Sequence, residues 1–313
     1  MTDRFVWWNG RVMRPEEARL DPRDRAVLYG VGLFETLRAY HGVPFALDAH
    51  LRRLRHGAAR LRLALDLPTP RVRTAIRDLV EACDLARGDA FVRITVTGGL
   101  DGGGIDCPSA GPPSVLIHAR PVVRRRSPAV LRACRASPQA HRAIPAIKSI
   151  GYLPSALARR DASQRGCDEA LVLSERDELL EGANSTILVR SGTRLITPPL
   201  DGRILPGITR RIVLDLARAE GWPVEERCIP WLELVAAREV MSVASVREIA
   251  AIVSIEGRTL GAGVPGEWTR RLFRRYRERA LGRNEGSAAS ALSENRATRR
   301  GRGRSAPRSR RAG

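Results

Sequence analysis

Lys148 is the one lysine among 54 basic residues in this 313-residue chain, so every other basic residue is an arginine. Arginine replaces lysine as a surface cation. It does not replace it as an amine nucleophile, because the guanidinium stays protonated and planar. A lysine that escapes wholesale replacement is a candidate for amine chemistry; a codon missed by mutational bias is the alternative. Lys148 stands in AIPAIKSIGYL beside Ala146, Ile147 and Ile150. Apolar surroundings disfavour the ammonium, and a neutral amine attacks an aldehyde to form a Schiff base. A strand-end lysine that snorkels to water fits the same segment.

Two other segments carry chemistry-bearing residues. In ELLEGANSTI, Glu181 lies between leucines and a Gly-Ala-Asn turn, which suits either a partly buried acid needing a cation or an exposed strand end. In LPGITRRIVLDL, Gly207 precedes a helical pattern with Ile208 and Thr209 in its first turn. Free N–H groups and a hydroxyl at a helix start favour a phosphate monoester, although Gly and Thr also open ordinary helices. No Gly-Lys-Ser/Thr follows the glycines of DGGGID, and Gly30-x-Gly32 opens a strand, so neither a Walker loop nor a dinucleotide fingerprint is present. Five widely spaced cysteines offer neither a disulfide framework nor metal-ligand spacing, so no metal is expected and a reducing cytoplasm is the expected compartment.

The elements that must position these residues follow from periodicity. FVWWNGRVM reads as a hairpin around Asn9-Gly10, and FETLRAY with VPFAL as another turning at His41-Gly42. Leu47, Leu51, Leu54, Ala58 and Leu61 mark an amphipathic helix. A second helix is expected after Thr69-Pro70, read as a cap and an N1 proline. FVRITVTGG and SVLIHAR are strands. Beyond them come a strand near Leu131, a helix from Pro154 to near Gly166, a meander over 169–199, a helix ending at Gly221, two strands and a final helix from about Pro265 to Leu281. Strands grouped with helices, without strict alternation, indicate two α+β domains. The expected division is 1–118, a connection at 119–130, and a larger domain over 131–283.

The formal net charge of +20 would suit a polyanion partner. Residues 284–313 hold eight arginines against two glutamates and one large apolar residue, Leu292, so this tail is expected to be disordered. No aromatic residue interleaves its arginines, which leaves non-specific nucleic-acid contact as its only expected partner role. No apolar run is long enough to span a membrane, and the first residues show no signal peptide.

YGVGLFETLRAY, HLRRL, Lys148, EGANSTI, LPGITR and SVASVREI occur in that order. The ordered set resembles the class IV aminotransferases, the fold type IV pyridoxal-phosphate enzymes. That family includes branched-chain and D-amino-acid aminotransferases and aminodeoxychorismate lyases. The resemblance covers roughly residues 3–282. It implies pyridoxal 5'-phosphate as cofactor, Lys148 as its Schiff-base lysine and Glu181 as the partner of its pyridine nitrogen. It further implies that Arg53, Ile208, Thr209 and Ser245 bind the phosphate, and that Tyr29, Phe34 and Arg93 line the substrate pocket. Tyr152 follows the lysine by four residues, a spacing similar to the lyase and D-amino-acid branch, and is the counterpart of a tyrosine on the cofactor's phenolic oxygen. TVTGGLDGGG lacks the arginines many relatives carry in that loop. The implied activity is amino transfer between an amino acid, branched-chain-like or D, and a 2-oxo acid. Aminodeoxychorismate lyase chemistry, which releases pyruvate and yields 4-aminobenzoate, is the alternative, and polyanion binding on an inactive scaffold is the remote one. The resemblance also implies a homodimer.

Overall fold

The computed structural model describes residues 4–136 and 147–282. The basic tail and the segment just before Lys148 lie outside the described residues.

The chain opens with β1 (Val6–Trp8) and β2 (Arg11–Met13), joined at Asn9-Gly10 with both residues at positive φ. That is the mirror-image turn whose twist matches a hairpin. His41-Gly42 does the same between β3 (Gly32–Tyr40) and β4 (Val43–Pro44). With β5 (Asp89–Thr97) and β6 (Val115–Val122), these strands form an antiparallel sheet in the order β2-β1-β6-β5-β3-β4. β6 continues past residue 118 because Asp89 pairs with Val122.

Two helices cover this sheet, α2 (Leu47–Arg60) and α3 (Thr69–Ala82). The start of α3 differs from the expected one: Pro68 is the N-cap, and Thr69 and Pro70 both lie inside the first turn. The Thr69 hydroxyl accepts a bond from Arg55 at 2.9 Å instead of capping. A missing cap costs about 1 kcal/mol. Burying Val72, Ile76, Leu79 and Val80 outweighs it, at about 1.5–3 kcal/mol for each large apolar side chain. A five-residue helix, α1 (Arg25–Tyr29), precedes β3; Asp24 caps it by accepting from Ala26 N at 2.8 Å.

The second sheet is mixed, in the order β12-β11-β10-β13-β14-β7-β8-β9, with β15 (Arg258–Thr259) also on β14. Its strands are β7 (Ala129–Arg135), β8 (Glu169–Leu173), β9 (Leu179–Gly182), β10 (Thr186–Ser191), β11 (Arg194–Thr197), β12 (Val224–Glu226), β13 (Glu239–Ala244) and β14 (Glu248–Ile255). Its helices are α4 (Leu153–Gln164), α5 (Ile208–Ala219), the short α6 (Trp231–Val235) and α7 over 267–282. Trp268, Leu272 and Tyr276 of α7 are buried with Ile212 and Val213 of α5. Tyr40, Phe45 and Ala49 from the first unit join the same cluster. Phe45 makes edge contacts with Tyr40 and Tyr276, so one core crosses between the sheets. No helix among the described residues is long and apolar enough to cross a membrane.

Candidate active site

Lys148 is carried by a segment pinned to the edge of β3. Its carbonyl accepts from Phe34 N at 2.9 Å, Ile150 N donates to Gly32 O at 3.1 Å, and Ser149 bridges to Leu33. A Cβ on Gly32 would come within 2.7 Å of both Val96 O and Ile150 Cδ1, so only glycine admits the segment this closely. The Lys148 amine projects into a cavity of about 730 Å³, with its Nζ 4.5 Å from the Phe34 ring centre and 5.8 Å from that of Tyr152. These two rings meet edge to face at 5.3 Å. The amine therefore sits half-buried against aromatic surface.

Glu181 enters the same cavity from β9 and is buried, with Leu205 N 3.4 Å from its Oε2. Ile208 and Thr209 line the cavity at the start of α5. Gly207, the N-cap, contributes no side chain, and a Cβ there would lie 2.7 Å from Thr186 Oγ1. The first N–H groups of α5 have no acceptor within the helix and carry its positive dipole end. Ser245, in the turn 245–247 between β13 and β14, places its Oγ 3.4 Å from Thr209 Oγ1. Arg53 of α2 lines the cavity and donates from Nη1 to Pro206 O at 2.8 Å, just ahead of that helix start. The sequence-expected lysine, acid and anion cup thus meet in one cavity.

Two functional residues were missed by the sequence reading. Glu35, fully buried on β3, accepts from Arg53 Nε at 2.7 Å and Nη2 at 2.8 Å, and from His50 Nδ1 at 2.7 Å. Burial alone would raise the Glu35 carboxyl. The charge and bonds of Arg53, with the bond from His50, outweigh it and hold the group down at about 2. Burial pushes the His50 imidazole the other way, toward its neutral form. Because the carboxylate only accepts, Nδ1 carries the His50 proton, and Nε2 faces Ser245 Oγ at 3.4 Å as an acceptor. A chain of contacts thus runs Glu35, His50, Ser245, Thr209, beneath the anion cup. The available signal was a charge within FETLRAY, a strand buried on both faces, which requires a buried partner.

The far wall is cationic. Arg93 stacks over the Phe34 ring at 3.8 Å and contacts Thr95 Oγ1 at 3.4 Å. Burial lowers its pKa, and no carboxylate pairs with it among the described residues. Tyr152 lines the cavity, and its hydroxyl is 3.4 Å from Ala183 O. Tyr29 is different: it ends α1, is 38% exposed and does not line this cavity. The glycine-rich loop after β5 folds back onto α1 through Arg25, which donates to Ile105 O at 3.1 Å. No group of His, Cys, Asp and Glu among the described residues could hold a metal ion.

Residues 32–255 match the amino-transferase class IV family. A Methanocaldococcus jannaschii protein assigned as a branched-chain-amino-acid aminotransferase is 31% identical over 276 residues, covering 87% of this chain and 95% of the relative. The aminodeoxychorismate lyase of Bacillus subtilis is 30% identical over 257 residues, covering 80% and 87%. Among solved structures, the branched-chain amino acid aminotransferase of Thermobaculum terrenum in its PLP form superposes with a TM-score of 0.79 at 30% identity, over 90% of this chain and 95% of that one. The α+β architecture expected from the ordered motifs is the one found. Sequence match, coverage and fold agree that this chain belongs to the class IV aminotransferase family and is an aminotransferase of that class.

Proposed function

We propose that the chain binds pyridoxal 5'-phosphate through Lys148 and transfers an amino group between an amino acid and a 2-oxo acid. The observation that carries this reading is the convergence of the Lys148 amine, the Glu181 carboxylate and the Arg53–Thr209–Ser245 cup on one cavity. The donor set fits the cofactor: cations and N–H groups for a phosphate, an acid for a ring nitrogen, an amine for an aldehyde. When bound, the cofactor supplies an electron sink for the carbanion left at the substrate Cα. Glu181 holds a proton on the ring nitrogen. The Lys148 amine would move the proton at Cα as general base and acid. Arg53 and α5 anchor the phosphate, so binding remote from Cα orients the reacting bond.

Two features support the substrate end. The N–H groups of Ser245, Val246 and Arg247 donate no hydrogen bond among the described residues, and these three residues all line the cavity. They form a ready site for the substrate's α-carboxylate. Tyr29 and its exposed neighbours Val27 and Leu28 put apolar surface around α1, which we assign to contact with a second copy of this chain. The working unit is then a homodimer, and a monomeric sedimentation coefficient in the active holoenzyme would refute that. The five cysteines are free, which supports a reducing cytoplasm.

Borohydride reduction of the holoenzyme followed by peptide mapping tests the core of the reading. The expected product is a pyridoxyl group on Lys148; a colourless protein with an unmodified lysine refutes it. The second reading, lyase chemistry, draws on the Bacillus subtilis relative and on the Tyr152 spacing. Release of pyruvate from aminodeoxychorismate, without amino exchange among amino acids, would select it.

A further inference from the structure

The turn 245–247 is gripped from outside the cavity by a buried cluster of charges. Glu248, the residue that follows the turn, has φ +65, a left-handed conformation that favours glycine and strains a side-chain-bearing residue. Its carboxylate is fully buried and accepts from Tyr40 Oη at 2.7 Å and Arg277 Nη1 at 3.2 Å, with Arg38 Nη1 at 3.3 Å. Arg38 also donates to Val246 O, in the turn itself, at 3.1 Å and to Asp89 at 2.6 Å. Arg277 of α7 donates in addition to Arg125 O at 2.8 Å, in the connection between the two sheets. Two cations and two anions, almost wholly withdrawn from water, therefore join β3, β5, β14, α7 and the connection around one three-residue turn.

None of these charged side chains lines the wall that the turn presents to the cavity. The cluster is costly to bury. It also makes an unfavourable backbone conformation the stable one, and strain of that kind persists where the surroundings over-determine it. We propose that Glu248, held by Arg38, Arg277 and Tyr40, is a positioning residue that aims the free N–H groups of the turn and so sets how tightly the substrate carboxylate binds. The proposal rests on the reading of that turn as the carboxylate site. A misplacement of about 1 Å in such a site lowers turnover efficiency by about a hundredfold.

The test uses the wild-type holoenzyme with Glu248→Gln and Arg277→Lys. In Glu248→Gln the KM for both the amino acid and the 2-oxo acid is expected to rise about tenfold or more, with kcat within about threefold of wild type. The inhibition constant of a plain monocarboxylate should rise in parallel. Arg277→Lys keeps the charge and should shift these constants in the same direction by less. A variant whose melting temperature falls while KM and the inhibition constant stay unchanged would overturn the proposal, as would a fall in kcat alone. Should Glu248→Gln fail to fold, Arg277→Lys decides alone: a raised KM at unchanged kcat supports the proposal, and an unchanged KM refutes it. A wild type without the Lys148 adduct would refute the functional reading itself, and this proposal with it.

Discussion

Glu35→Gln removes one charge and almost no volume from the floor of the anion cup. Ionised Glu35 has a folded-state pKa of about 2 against an ordinary value of 4.5. That depression corresponds to about 3 kcal/mol of stability at neutral pH. The contribution is full above about 4.5, shrinks as the unfolded carboxyl takes up its proton, and is gone once pH falls through about 2. At pH 3 a little under half of it should remain. Any penalty from the changed shape of the side chain is independent of pH, so the charge is isolated by the slope. Urea denaturation of the cofactor-free protein, followed by circular dichroism at pH 7 and pH 3, measures both points. The gap between wild type and variant should narrow by about 2 kcal/mol between them. A gap that is constant across this range would refute the assignment of Glu35 as the ionised partner of Arg53. In the same variant the new amide nitrogen cannot accept from Arg53, so one of the contacts at 2.7 and 2.8 Å is lost together with the charge, and cofactor affinity should fall as well.

Lys148→Ala and Lys148→Arg should both lose the covalent bond to the cofactor and at least a thousandfold in turnover, read by visible absorption and stopped-flow half-reactions. Thr209→Ala and Ser245→Ala should each weaken cofactor binding by about tenfold, measured by equilibrium dialysis, with little effect on the melting temperature. Gly207→Ala brings a Cβ within 2.7 Å of Thr186 Oγ1 and should weaken cofactor affinity more than either hydroxyl deletion. Trp268→Ala removes a ring stacked on Trp222 at 3.8 Å, neither of which lines the cavity, and should cost about 3–5 kcal/mol of stability without changing KM.

Periodicity made the strands and longer helices legible, because apolar stripes such as Val72–Ile76–Leu79 report the buried face directly. The short α1 and α6 carry too few residues for a period to show. Lys148 was legible because arginine cannot do its chemistry, and Thr209 because a glycine set it at a helix start. Glu35 and His50 were not. Their role depends on a carboxylate, an imidazole and Arg53 meeting across a strand and a helix, and no local spacing encodes that meeting. Tyr29 was legible as a motif residue, but its placement outside its own chain's cavity belongs to tertiary geometry. The cap of α3 shifted by one residue because the Thr69 hydroxyl found a better partner in Arg55.

The carriers of the site sit on opposite sides of the join between the two sheets. His50 and Arg53 belong to α2, whereas Thr209, Ser245 and Glu181 belong to the second sheet and its helix, and the Lys148 segment is stitched to β3. A cofactor bound here acts as a staple across that join. Its binding free energy adds to the docking of the two units, by about 2.7 kcal/mol at a free concentration of 100 times Kd. Catalytic competence therefore reports on docking rather than on the folding of either sheet. Mild denaturant should silence the enzyme and release its cofactor before the secondary structure is lost.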